Sequence, residues 1–261
     1  LIAIGSVTSL TVYSLLWFFI EIFQASFLVN FLVSGGICLG LAIFMGMYFP
    51  SFEEKSQQNK SIVLRKRYWL YYLLTFLSGA RRQIFVVFAA FLMVEKFGYS
   101  VSEVTLLFLV NYAFNWLFAE KIGQLIGRIG ERRALTLEYT GLVFVFVAYG
   151  LVENATLAAC LYVIDHMFFA LAIGIKTYFQ KIADPADMAS SAGVSFTINH
   201  IAAVVIPAAL GLVWLWSHAL VFYFGAMFAF LSLIASQLIP RDPMQGNETN
   251  LTSANSLGYQ A

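Results

Sequence analysis

Eight apolar runs follow one another along the chain, at residues 1–23, 27–49, 68–94, 103–119, 134–152, 156–176, 191–215 and 219–239. A helix needs about 20 mostly apolar residues to cross the hydrocarbon of a bilayer, where only helices and closed barrels leave no peptide group unsatisfied. The expectation is therefore an all-α integral membrane protein with eight transmembrane helices in this chain. Composition agrees, since 61% of the residues are hydrophobic and 11% are charged, against roughly 25% charged in a soluble domain. The formal net charge of +1, with no basic block interleaved with aromatics, excludes a nucleic-acid partner. Cys38 and Cys160 lie within apolar runs, where a packing role is expected rather than a disulfide. No CxxC, Cys/His cluster or cofactor motif is present, so neither metal nor cofactor is expected.

The chain opens at Leu1 directly inside an apolar run, without a basic n-region or cleavage site, which is unlike a signal peptide and is expected of a truncated start. Most connections are short: QAS, ENA and WSH join spans one to two, five to six and seven to eight, which predicts antiparallel hairpins. The exception is the polar stretch SFEEKSQQNKSIVLRKR, residues 51–67, a candidate linker between two halves of a bundle. From residue 240 to 261 no apolar period remains, and a disordered tail is expected.

Basic residues set the orientation, because Lys- and Arg-rich loops stay in the cytoplasm. Lys55, Lys60, Arg65, Lys66, Arg67, Lys121, Arg128, Arg132, Arg133, Lys181 and Arg241 fall on one side, and Lys96 alone on the other. This bias places the linker and the C-terminus inside the cell. It also bears on FLSGARRQIFVVF, residues 76–88. Were Arg81 and Arg82 in a loop, the flanking runs would be too short to cross and every later loop would change sides. Both arginines are thus expected within the membrane, about 20 Å from either helix end, where a charge costs at least about 2.5 to 3.5 kcal/mol on insertion scales unless it is compensated.

Other polar side chains fall at similar depth: Asn111 and Asn115 on the fourth span, Asp165 and His166 on the sixth, Asn199 and His200 on the seventh. Thr75, Ser78, Gly79 and Arg82 form a small or polar stripe at helical spacing. Arg82 is accordingly the first choice for a charge facing a cavity, with Arg81 about 100° round the helix at its edge. The plainer alternatives are an ion pair between either arginine and Asp165, interhelical amide hydrogen bonds for the asparagines, and helix contacts for the histidines. Lys176 belongs to a helix end where it can snorkel.

After the fourth span comes GQLIGRIGERR, residues 123–133, which resembles the G-x-L-x-(D/G)-R-x-G-x-(R/K)-(R/K) motif of the major facilitator superfamily of transporters. Gly123, Leu125, Arg128, Gly130, Arg132 and Arg133 match, and Gly127 stands where the fuller motif has aspartate, as in the looser copy between that family's eighth and ninth helices. Residues 181–214, with an acidic-proline turn, Asn199, Pro207 and Gly211, resemble its tenth-to-eleventh helix junction, and the third span followed by EKFGYSVSEV resembles its seventh helix. The resemblance implies helices five to twelve of twelve: residues 1–50 end the N-terminal bundle, 51–67 link, 68–239 form the C-terminal six-helix bundle, and 240–261 are the tail. It further implies a monomeric, multi-pass secondary transporter of a plasma membrane such as a bacterial inner membrane. In such a protein Arg81, Arg82, Asn111, Asn115, Asn199 and His200 would line the substrate site, and Gly123, Arg128, Gly130, Arg132 and Arg133 the gating motif.

The arginines favour an anionic solute, since guanidinium binds carboxylate and phosphate through paired, charge-assisted hydrogen bonds. Asp165 with His166 or His200 could couple transport to protons. The alternatives are an exporter of amphipathic compounds, served by the Phe- and Tyr-rich third and fourth spans, and a receptor or scaffold that binds without translocating. An enzyme is not expected, for no HExxH, GxSxG or grouped Cys/His pattern occurs.

Overall fold

The structure, a computed structural model, describes residues 2–24, 26–49 and 64–251, with side chains from Val7 onward. The linker residues 51–63 and the last ten residues of the expected tail, 252–261, lie outside the described residues.

The described chain is an all-α membrane bundle. The helices are α1 Ile2–Glu21, α2 Phe27–Tyr48, α3 Trp69–Gln83, α4 Ala90–Phe97, α5 Val101–Ile129, α6 Glu131–Leu151, α7 Ala155–Phe169, α8 Ile173–Ile182, α9 Met188–Trp214 and α10 His218–Ser236. A π-helical segment, Ile84–Ala89, joins α3 to α4, and a 3₁₀ turn, Ala170–Ala172, joins α7 to α8, so each pair forms one continuous crossing. Seven such crossings are long and apolar enough to span a membrane, and α1 adds a 20-residue apolar helix.

The short connections follow from capping. Ser26, Asn154 and Ser217 in the QAS, ENA and WSH turns each accept a hydrogen bond from a backbone N–H of the first turn that follows. Ser100 and Glu103 make a reciprocal capping box at the start of α5. At the opposite end the GQLIGRIGERR stretch departs from the expected loop, because α5 runs on to Ile129 and α6 begins at Glu131. Only Gly130 intervenes, with φ +83°, a conformation that favours a residue without Cβ.

In α6, Ala134, Leu135, Glu138, Tyr139, Leu142, Val145, Phe146 and Tyr149 are buried. They recur three and four residues apart, so one face of α6 carries the bundle core. Against α6 pack α10 and α7, while α3 packs on α9 and α10. Helix α1, expected with α2 to close a separate bundle, lies along α5, with Tyr13 stacked on Tyr112 at 5.1 Å between ring centroids. None of the described residues of α2 is buried, so the close hairpin expected of QAS does not form. Cys38 and Cys160 are exposed on the bundle surface rather than packed within it.

At the end bearing most of the basic residues, polar ties join the helices. Lys181 meets the buried Glu131 at 2.7 Å, Arg132 donates to Gln237 Oε1, and Asp187 receives Arg65 at 3.1 Å and Arg67 at 2.9 Å. Residues 240–251, expected to be disordered, instead fold back onto these helix ends. The Tyr178 hydroxyl donates to Glu248 O, Gln245 donates to Ala183 O, and Thr249 is buried. The Tyr178 hydroxyl on α8 and the backbone carbonyls of Ala183 and Leu238, just past α8 and α10, supply what a hydropathy pattern cannot register.

Candidate functional site

Arg81 lies near the middle of the α3–α4 crossing and is 1% exposed. It falls on the stripe Leu70, Leu74, Leu77, Arg81 and Ile84, whose other members are all core residues. Its Nε donates to Leu77 O, one turn back, so the side chain points toward the Lys66 end of the crossing. There its Nη1 meets Glu138 Oε1 of α6 at 3.5 Å, and its guanidinium lies over the Tyr139 ring at 4.5 Å. Glu138 is 0% exposed. On α7, the buried Asp165 lies within electrostatic reach of both Arg81 and Glu138. Arg81 is therefore inside the bundle, not at the edge of a cavity. Its ion-pair partner is Glu138 rather than the Asp165 considered from sequence.

Arg82 faces the other way. It is exposed, and among the described residues it makes no ion pair. Its guanidinium approaches the Phe169 ring at 5.9 Å, and its charge is felt by His166. On its other flank is α9. The stripe of Thr75, Ser78 and Gly79 is buried rather than lining a cavity. A Cβ at Gly79 would lie 2.8 Å from Asn199 Oδ1, so the missing side chain is what lets α9 come this close. Gly79 and Arg82, three residues apart, share a helix face, which brings the Asn199 amide within about one turn of Arg82. Arg82 and Asn199 are exposed, Phe169 is half-buried beside the guanidinium, and the His166 ring packs inward on Phe85 and Tyr162.

The remaining candidates are distributed differently. Asn111 is buried and finds no hydrogen-bond partner for either amide atom, whereas Asn115, one turn on, is half-buried. The exposed His200 is bonded through Nδ1 to Phe196 O of its own helix at 2.9 Å, and Asn199 Nδ2 donates to Ser195 O. Lys176 is exposed. Gly123, Arg128, Gly130, Arg132 and Arg133 sit at the α5–α6 junction. Arg128 occupies the last turn of α5, where a cation opposes the helix dipole, and Arg132 is held by Gln237. Among the described residues no group of His, Cys, Asp or Glu could hold a metal ion.

The residue that sequence reasoning missed is Glu138. It is four residues inside the fifth apolar run and was passed over, yet it occupies a core position of the 131–149 stripe described above. An ionisable residue at a core position of an amphipathic pattern is the signal that finds it. Two of the three crossings that carry the central charges, those of Arg81 and of Asp165, also depart from regular α-helix beside them, at Ile84 and at Ala170. Such breaks, π-bulges above all, recur at functional sites.

No family model matches the chain, and no curated protein matches it.

Proposed function

We propose that the chain belongs to a secondary active transporter of the major facilitator type, which moves a small anionic solute by alternating access around a mid-membrane site. The observation that carries this reading is Arg82: an exposed guanidinium at the middle of a crossing, without a carboxylate partner among the described residues, with Phe169 beside it and Asn199 on the neighbouring α9. A charge held at such depth without function is costly. Arg81 does not share the role, since Glu138 occupies it, so solute binding rests on Arg82 with Asn199 as a neutral hydrogen-bonding partner. The gating role of Arg128, Arg132 and Arg133, the inward-facing linker and C-terminus, and the monomeric state belong to the same proposal. The breaks after Arg82 and after Phe169 give the two crossings points at which to flex as the cavity alternates.

Counterflow in proteoliposomes containing the full-length protein, run over a panel of small carboxylates, phosphate, and neutral and cationic solutes, tests it. Uptake of an anion that is lost in Arg82→Gln and partly kept in Arg82→Lys is expected. A neutral or cationic substrate carried equally well by Arg82→Gln would overturn the anion assignment, and binding without counterflow would favour a receptor.

A further inference from the structure

Inside the bundle Glu138 meets the Arg81 guanidinium at 3.5 Å, and a second buried carboxylate, Asp165 of α7, lies within electrostatic reach of both. Glu138 and Asp165 are 0% and 3% exposed, and Arg81 is 1% exposed. Two other buried acids near the basic end are matched by half-exposed cations, Glu131 by Lys181, and Asp187 by Arg65 and Arg67, while Glu248 accepts from the backbone N–H of Gly246. The inner group has no such supply. Across α6 and α3, α10 carries no Asp, Glu, Lys or Arg between His218 and Ser236, α8 carries the exposed Lys176 and the exposed Lys181 that pairs with Glu131, and α9 carries the exposed His200. The α5 segment that meets α7 contributes Asn111 and Tyr112, and α7 itself adds Tyr162 and His166. With both acids ionised the group would hold one uncompensated negative charge, which in a desolvated interior is strongly unfavourable.

Hydrogen bonding is incomplete in the same place. Both Glu138 oxygens, Asp165 Oδ1, Arg81 Nη1 and Nη2 and the Tyr139 hydroxyl are buried with no hydrogen-bond partner. Native interiors satisfy such groups with few exceptions. One added hydrogen on a carboxyl oxygen would remove the excess charge and supply a donor. A bound sodium ion would instead set a second cation against the Arg81 guanidinium. An imidazolium at His166 would place a second cation beside Arg82.

We propose that Glu138 and Asp165 together hold a single exchangeable proton, with Arg81 as the fixed countercharge. The proton belongs to the pair rather than to either residue. Glu138 lies about 10 Å along α6 from its basic end, whereas Asp165 lies about 25 Å from the basic end of the α7–α8 crossing. The pair therefore spans two depths. The guanidinium can turn toward whichever carboxylate is ionised, releasing the proton from one level and accepting it at the other. This rests on the transport reading and names its coupling ion, moving that role from Asp165 with a histidine to Asp165 with Glu138.

Infrared spectroscopy of the full-length protein in nanodiscs at neutral pH tests the site without invoking transport. A neutral carboxylic-acid C=O band that shifts in D₂O is expected in the wild type and in His166→Gln. It should vanish in Glu138→Gln and in Asp165→Asn, each of which leaves one carboxylate facing Arg81. A wild type without the band, a band that appears only when sodium is withdrawn, or a band surviving in both carboxylate variants would overturn the proposal. So would its loss in His166→Gln. In proteoliposomes, Glu138→Gln should keep counterflow but lose uptake driven by a pH gradient; retained pH-driven uptake would overturn the coupling. Should the wild type carry no solute at all while the infrared pattern holds, the transport reading fails and the proton site stands.

Discussion

Arg81 and Arg82 are neighbours in sequence and occupy opposite worlds. Arg81 is enclosed by α6 and α7, with Glu138 at 3.5 Å and the Tyr139 ring beneath it. Arg82 is exposed, with its guanidinium 5.9 Å from the Phe169 ring. A rotation of about 100° about the helix axis thus separates a charge enclosed by the bundle from one left exposed on its surface. Depth in the membrane identifies an ionisable residue as important, but the face on which it sits decides what it does.

The comparison breaks most readily at the buried arginine. Arg81→Gln leaves Glu138 without its cation, and removing one partner of a buried pair costs about 3–5 kcal/mol. A large fall in thermal stability in detergent is expected, and Arg81→Gln with Glu138→Gln should recover much of it, giving a clear coupling in a double-mutant cycle. Arg82→Gln should by contrast alter stability by no more than about 0.5 kcal/mol, as for a surface change. If both arginines prove equally costly to replace, the two faces are not distinct.

Two further changes sharpen the contrast by probing the basic end. Asp187 is buried and binds Arg65, Arg67 and the Tyr68 hydroxyl. Asp187→Asn should cost about 1.5–3 kcal/mol, the range for hydrogen bonds to a charged group, and increase tryptic cleavage after Arg65 and Arg67. Gln237→Ala removes the tie to Arg132 and Thr136 and should cost about 1 kcal/mol. Both losses should appear as lowered melting temperature without abolishing solute binding at Arg82. Failure of Asp187→Asn to raise cleavage would mean that this junction does not hold the start of α3.

Much of the fold was legible in the sequence because burial in lipid imposes a length and a composition on each crossing. Each of the eight apolar runs falls on helix, seven of them on crossings long and apolar enough to span a membrane among the described residues, and the cap residues Ser26, Asn154 and Ser217 stand at the turns. What hydropathy could not register was partnership. Residues 240–251 are polar and were expected to be disordered, yet Tyr178, Ala183 and Leu238 supply hydrogen-bond partners from elsewhere in the chain. The stripe of Thr75, Ser78 and Gly79 was expected to face a cavity, and it faces α9, because small residues in a membrane helix serve close packing as readily as solvation. Glu138 was hidden by its nearness to the end of an apolar run, although the spacing of its neighbours places it in the core.

Solvent access at position 82 tests the central contrast most directly. In a background with Cys38 and Cys160 replaced by Ser, Arg82→Cys and Ile84→Cys would be treated with a membrane-impermeant charged thiol reagent. Position 82 is exposed and Ile84 is 0% exposed, so Cys at 82 should react while Cys at 84 stays untouched. An unreactive 82, or equal labelling of both positions, would contradict an open, wet face beside a sealed one.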